Sequence, residues 1–143
     1  MHLIYPIAVV LLLASLHVSS SGAADTLSIK DLKFNAVSLH LKVVTLRGTV
    51  KGLNAFPPHY PAGMGSSRGC TMYGSYAFTL VDESGEVEVQ KAGRCFDVES
   101  KPPVNEGDAV SVRGHVHLFH PGDFGAQVQT VRIEAQEVVR IGL

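Results

Sequence analysis

Apolar and polar residues alternate most regularly between Tyr76 and Gln90, in YAFTLVDESGEVEVQ. Tyr76, Phe78 and Leu80 form one row, Asp82-Glu83-Ser84-Gly85 has the composition of a tight turn, and Val87 and Val89 resume the period of two. The pattern predicts a β-hairpin. Folding about that turn sets Leu80 opposite Val87 and Phe78 opposite Val89, so both rows share one face. A lone hairpin is marginal in water, and this face needs partner strands.

Three further segments supply them. Within His40 to Val50, Val44, Leu46 and Val50 occupy one side and Thr45, Arg47 and Thr49 the other, with Gly48 in the inward row. From Ala109 to Leu118, Val110, Val112, Val116 and Leu118 form a row containing Gly114, opposite Ser111, Arg113, His115 and His117. Gln127 to Arg140 continues through Val128, Val131, Ile133, Ala135 and Val138 with a change of parity, which predicts a bulge or bend. Glycine inside a long strand removes bulk where the strand turns sharply, as at a barrel corner. Ahead of the strands, Ser28-Ile29-Lys30-Asp31 has capping spacing, and Ile29, Leu32 and Ala36 share a helical side. A short helix from Ser28 to about Val37 follows, plugging one end of the strand assembly. Five strands, two of them long with an internal glycine, fit a closed barrel, because closure removes exposed edges. Residues 51–74 hold Pro57, Pro58 and Pro61, several glycines and no periodicity. Such a connection is expected to be a binding loop or a mobile one.

A chain of 143 residues suffices for one modest domain. Lys, Arg, Asp and Glu are absent from residues 1–24, Leu3 to Leu16 is mostly apolar, and Gly22-Ala23-Ala24 supplies small residues of the kind a signal peptidase accepts. A secretory signal over 1–24 is predicted, although its basic n-region is missing. The apolar run is short for a membrane span of about 20 residues. The expectation is therefore an exported protein, periplasmic or extracellular, with one domain over 25–143 and no span after cleavage. The 12 Lys/Arg and 13 Asp/Glu leave a net charge of -1, which gives the domain no global attraction for a phosphate backbone. Cys70 and Cys95 both lie in the exported part, where thiols oxidise. Extending the hairpin outward sets Cys95 nearly opposite Met72, close to Cys70, so a structural disulfide is expected. A redox-active pair, which would lack its CxxC, and a pair of metal-binding thiolates are the alternatives.

The segments VVTLRGTV (43–50), YAFTLVDESGEVEV (76–89), EGDAVSVRGHV (106–116) and VQTVRIEAQEVVRI (128–141) resemble the nucleic-acid-binding OB-fold domains of the anticodon-binding type and their exported bacterial relatives. The resemblance implies an all-β fold, a five-stranded OB-fold barrel, with the short N-terminal helix added. It also implies a cleft on the first three strands, flanked by the loops joining strands one to two and four to five. Arg47 and Thr49, Tyr76 and Phe78, and Glu86 and Glu88 fall near that cleft, though parity assigns Phe78 to the core. Ser75, Ala77, Thr79, Glu86, Glu88 and Gln90 point outward instead, with no stacking aromatic and two carboxylates. Single-stranded nucleic acid is poorly served by such a face.

The loops are better equipped. His59, Tyr60, Arg68 and Tyr73 on the first could face Phe119, His120 and Phe124 on the last, offering apolar area with directed polar groups. The expected function is recognition of a peptide, glycan or small polar ligand; the partner, an envelope peptide, glycan or protein, is not identified. Two alternatives stand beside it. Arg47 and Arg68 would serve nucleic acid. His115, His117 and His120 would serve copper or zinc, since residues two apart on a strand project together. No nucleophile with its base and no phosphate-binding loop is legible, so neither an enzyme nor a cofactor is expected.

Overall fold

The computed structural model describes residues 25–60, 70–95, 101–119 and 130–142. Strands β1 (Val43–Ala55), β2 (Met72–Tyr73), β3 (Tyr76–Asp82), β4 (Gly85–Lys91), β5 (Arg94–Cys95), β6 (Ala109–Phe119) and β7 (Thr130–Arg140) follow two short helices, α1 (Ile29–Phe34) and α2 (Ala36–Leu39). The hairpin forms as its alternation requires: Phe78 pairs with Val89 and Leu80 with Val87. Five strands close a barrel in the order β1-β3-β4-β7-β6, with β6 returning to β1. Every seam is antiparallel except β4–β7, a short parallel ladder of Glu88, Val89 and Gln90 with Arg132, Ile133 and Glu134. This is an OB-fold barrel.

The inward rows fill it. Leu46, Val50, Leu80, Val89, Val110, Val112, Val116 and Ile133 are fully buried. Helix α1 adds Ile29 and Leu32, also without exposure. Burying each such aliphatic side chain stabilises the fold by about 1.5–3 kcal/mol. The parity change in the last strand is a register shift between Arg113 and Gly114, which leaves Gln136 unpaired between Ala135 and Glu137.

Asp82 ties the hairpin turn to α1. Its Oδ1 accepts from Ser84 N (2.7 Å), Ser84 Oγ (2.6 Å) and Gly85 N (2.9 Å), and its Oδ2 accepts from Ile29 N (2.9 Å). Burial alone would raise the carboxyl, but the Ser84 hydroxyl and the Ile29, Ser84 and Gly85 N–H groups outweigh it and hold Asp82 below the ordinary carboxylate range. A carboxyl depressed in the folded state contributes stability above its unfolded value, and that contribution disappears as pH falls through the folded value. Urea unfolding of the wild type is therefore expected to weaken below about pH 4. Asp82→Asn should flatten that acid limb and cost about 1 kcal/mol at pH 7, a figure reduced for solvent screening.

Four expectations need correction. The single helix over 28–37 is split at Asn35, whose N–H and Nδ2 both donate to Asp31 O, while Ser28 caps α1 as expected. The first strand starts at Val43; His40 makes only an isolated bridge to Val116. Its far end runs on to Ala55 in what alternation alone leaves as loop, because a bulge between Lys51 and Asn54 breaks the period. The Glu106 carboxylate accepts from the Gly52 and Leu53 N–H groups at that bulge, both at 2.9 Å, and these bonds lower its pKa. Ser75, expected to point outward, is buried, its Oγ accepting from Gly93 N at 2.9 Å.

Candidate functional site: two joined clefts at the end of β4

Beyond the barrel, β2 and β5 pair as a separate two-stranded sheet with Met72 opposite Cys95. Cys70 and Cys95 are disulfide-bonded, with Cα atoms 5.6 Å apart. The bridge and a His59–Met72 backbone pair tie the described ends of the long loop to the region after β4. Phe56, Pro57, His59 and Met72 then stand over Gln90, Ala92 and Gly93, enclosing with Ser75 a mainly apolar cleft of ≈ 480 Å³.

Gln90 and Ala92 also wall a second cleft, ≈ 410 Å³, completed by His117, Phe119, Arg132 and Glu134. The two clefts thus share one wall. The strand registers assemble the second: β4–β7 sets Glu88 beside Arg132 and Gln90 beside Glu134, and β6–β7 sets His117 beside Arg132. Arg132 is strongly held. Its Nη2 donates to Glu88 Oε2 (3.2 Å) and its Nη1 to Gln90 Oε1 (3.3 Å). The buried Nε comes within 3.1 Å of Glu88 Oε1 without the alignment of a hydrogen bond. The guanidinium carbon lies 4.6 Å from the centroid of the Phe119 ring, a cation–π distance. His117 Nε2 is 3.0 Å from Glu134 Oε2, and its ring lies 6.2 Å from that of Phe119. The second cleft therefore offers both charge signs, an aromatic edge and an amide, beside an apolar neighbour.

The residues expected to recognise a ligand are only partly gathered here. His59 lines the apolar cleft and Phe119 the polar one, two separate clefts that have Gln90 and Ala92 in common. Tyr60 is exposed and is not among the residues lining either. Tyr73 faces a smaller neighbouring depression with Lys91, Arg94 and Lys101. Arg68, His120 and Phe124 lie outside the described residues. Tyr76, near the cleft by resemblance, is a core residue, and burial raises its pKa. Arg47 pairs in register with Ser111 on the β1–β6 side and is not part of either cleft.

His115 and His117 do share an outward face, but their ring nitrogens have other partners. Gln136 Nε2 donates to His115 Nε2 at 2.9 Å, since Gln136 Oε1 accepts from Arg113, and His115 Nδ1 contacts Leu41 O at 3.2 Å. Among the described residues, no three His, Cys, Asp or Glu side chains are grouped to hold a metal.

No family model matches this chain, and no curated protein matches it in sequence. Solved structures do match. One is a crystal structure described as an aspartyl-tRNA synthetase from Leishmania major Friedlin, with a TM-score of 0.54 and 14% identity. The match covers 86% of this chain and 22% of that one, so this chain spans about a fifth of that protein's length. At such identity the likeness establishes the OB fold alone.

Proposed function

We propose that residues 25–143 form an exported, non-enzymatic recognition module, released from a signal over 1–24, that binds a peptide across the two clefts at the end of β4. The observation that carries this reading is the shared Gln90–Ala92 wall between an apolar cleft and a polar one. A peptide suits that pairing, since one apolar side chain can fill the first cleft while flanking polar or charged groups meet Gln90, His117 and Glu134 in the second. The disulfide supports export, because such a bridge persists outside the reducing cytoplasm. Among the described residues no helix is long and apolar enough to cross a membrane.

A second reading, single-stranded nucleic acid, is favoured by the likeness to the synthetase structure. Charge weighs against it. The only Arg or Lys lining the joined clefts, among the described residues, is Arg132, and Glu88 and Gln90 already engage it.

Calorimetric titration against immobilisable peptides, envelope glycans and single-stranded oligonucleotides separates the two. Peptide binding is expected to weaken about tenfold on Phe56→Ala, Gln90→Ala or Phe119→Ala and to depend little on salt. Oligonucleotide binding that falls steeply with salt, by about 0.7 log units per log unit for each phosphate engaged, would install the second reading instead. Glycan binding alone, or no binding at all, would remove both.

A further inference from the structure

A third depression, ≈ 240 Å³, adjoins the two clefts and differs from both in charge. The strand registers build it: β2–β5 sets Tyr73 opposite Arg94, and β3–β4 sets Tyr76 opposite Lys91. Lys101 completes it from the chain ahead of β6. The backbone is tightly packed here. A Cβ at Gly93 would overlap the Tyr73 backbone oxygen and lie 2.6 Å from Ser75 Oγ, so Lys91 and Arg94 flank a compact crossing of two chain segments. The bridge from Cys95 to Cys70 fastens the residue that follows Arg94.

Among the described residues, the three cations of this depression are uncompensated. No Asp or Glu lines it beside Lys91, Arg94 and Lys101, and none of the three forms an ion pair. Lys91 Nζ donates to Gln136 O at 2.9 Å, a neutral partner that leaves its charge in place. Arg94 and Lys101 are exposed, and their side chains make no hydrogen bond to another described residue. The polar cleft is the opposite case, since Glu88 answers Arg132 at 3.1 Å and Glu134 lies 3.0 Å from His117. Ala92 lines all three cavities, and Gly93 lines both the apolar cleft and the depression. A ligand seated at Ala92 therefore meets an apolar cleft, a cleft whose arginine is already neutralised, and a positive one.

We infer that the bound peptide is acidic: one of its Asp or Glu side chains enters this depression, where Arg94, Lys91 and Lys101 surround the carboxylate and the Tyr73 hydroxyl is a further donor. The inference rests on the peptide reading above and narrows it. An apolar side chain of the ligand fills the cleft of Phe56 and Met72, and the acidic residue lies on the Gly93 side of it. The distribution of charge favours a carboxylate over a nucleic-acid backbone. The unpaired cations are confined to this one small depression, and a chain of phosphates continued past Ala92 would meet Glu134 or the apolar cleft. One carboxylate against exposed cations also keeps the salt dependence shallow. Asp97 and Glu99 belong to the connection between Arg94 and Lys101, outside the described residues.

The full-length protein, with its disulfide formed, is used to select from a random peptide library displayed on phage, and the enriched sequences are remade as amidated synthetic peptides. Enriched peptides are expected to combine an apolar residue with Asp or Glu. Changing that Asp or Glu to its amide should weaken binding about fivefold by calorimetry. Arg94→Gln with Lys101→Gln should erase the difference, whereas Lys42→Gln, exposed and outside all three cavities, should preserve it. Phe56→Ala should weaken the acidic and amide peptides alike. Enrichment of apolar peptides without an acidic residue overturns the inference and leaves the peptide reading standing; it is also the result expected if Asp97 or Glu99 fills the depression. An acid preference that survives the double substitution overturns it too, by placing the carboxylate elsewhere. No enrichment of any peptide removes both. Displacement of a selected peptide by single-stranded oligothymidylate, itself lost with the same double substitution, would give the depression to phosphate and overturn the inference in favour of nucleic acid.

Discussion

Gly114→Ala is expected to lower the thermal unfolding midpoint by roughly 10 °C, corresponding to about 3 kcal/mol. A Cβ at position 114 would overlap the backbone oxygen of Glu134 and lie 2.8 Å from Ala135 Cα and 2.9 Å from Glu134 C. Every one of these atoms is main chain, so no side chain can rotate away. The crowding follows from the register shift: the unpaired Gln136 bends β7 and presses its backbone against β6 opposite Gly114. Gly48→Ala should behave similarly. There a Cβ would lie 2.5 Å from Val81 O, one residue before Thr49, where β1 ends its pairing with β6 at Ala109 and begins its pairing with β3 at Val81. Gly85→Ala is the control, since its Cβ meets only Ile29 Cγ2 at 3.5 Å, an ordinary contact. Its change should stay within about 1 kcal/mol, and circular dichroism melts of the three variants check the ranking.

These two glycines also show what alternation can reveal. A period of two fixes which residues face inward, so Gly48 and Gly114 could be placed in the core rows and read as corners before any strand was paired. For the same reason the Phe78–Val89 and Leu80–Val87 pairs and the nearness of Met72 to Cys95 were legible, all three being consequences of one turn. Part of what failed was decided by distant residues. The continuation of β1 past Lys51 rests on a bulge capped by Glu106, more than fifty positions away in sequence, and a bulge erases the alternation that would announce it. Helix α1 stops at Asn35 because of a local side-chain bond to Asp31 O, which competes with the helical pattern without disturbing its apolar spacing.

The candidate site was legible in outline only. The two loops were expected to face one another; His59 and Phe119 instead line separate clefts on the two sides of Gln90 and Ala92. The polar lining of the second cleft was missed. Gln90, Arg132 and Glu134 are all outward by parity, but their meeting depends on the parallel β4–β7 seam, and no local signal states which strand lies beside β4. Ser75 was misplaced because parity was extended past the start of β3, where the chain has already turned to let Gly93 donate to its hydroxyl.

Removing the Cys70–Cys95 bridge is expected to lower stability by about 3 kcal/mol and, in the same variant, to weaken ligand binding. The bridge joins residues 25 apart, and closing a loop of that size restricts the unfolded chain by roughly this amount. The bound on function comes from Met72, which lines the apolar cleft and whose Sδ lies 4.0 Å from Cys70 Sγ and 3.8 Å from Cys95 Sγ. Without the bridge, β2 and β5 keep only a two-residue pairing, too short to stand alone in water. Met72 and His59 would then lose their fixed position over Ala92 while the barrel persisted. Urea unfolding of the Cys70→Ser, Cys95→Ser double variant measures the first effect, and peptide titration of the same protein measures the second. Intact mass before and after reduction counts the bridge directly. An unchanged unfolding midpoint would mean that the β2–β5 pair holds without its covalent link, and unchanged binding would place the recognition surface away from Met72.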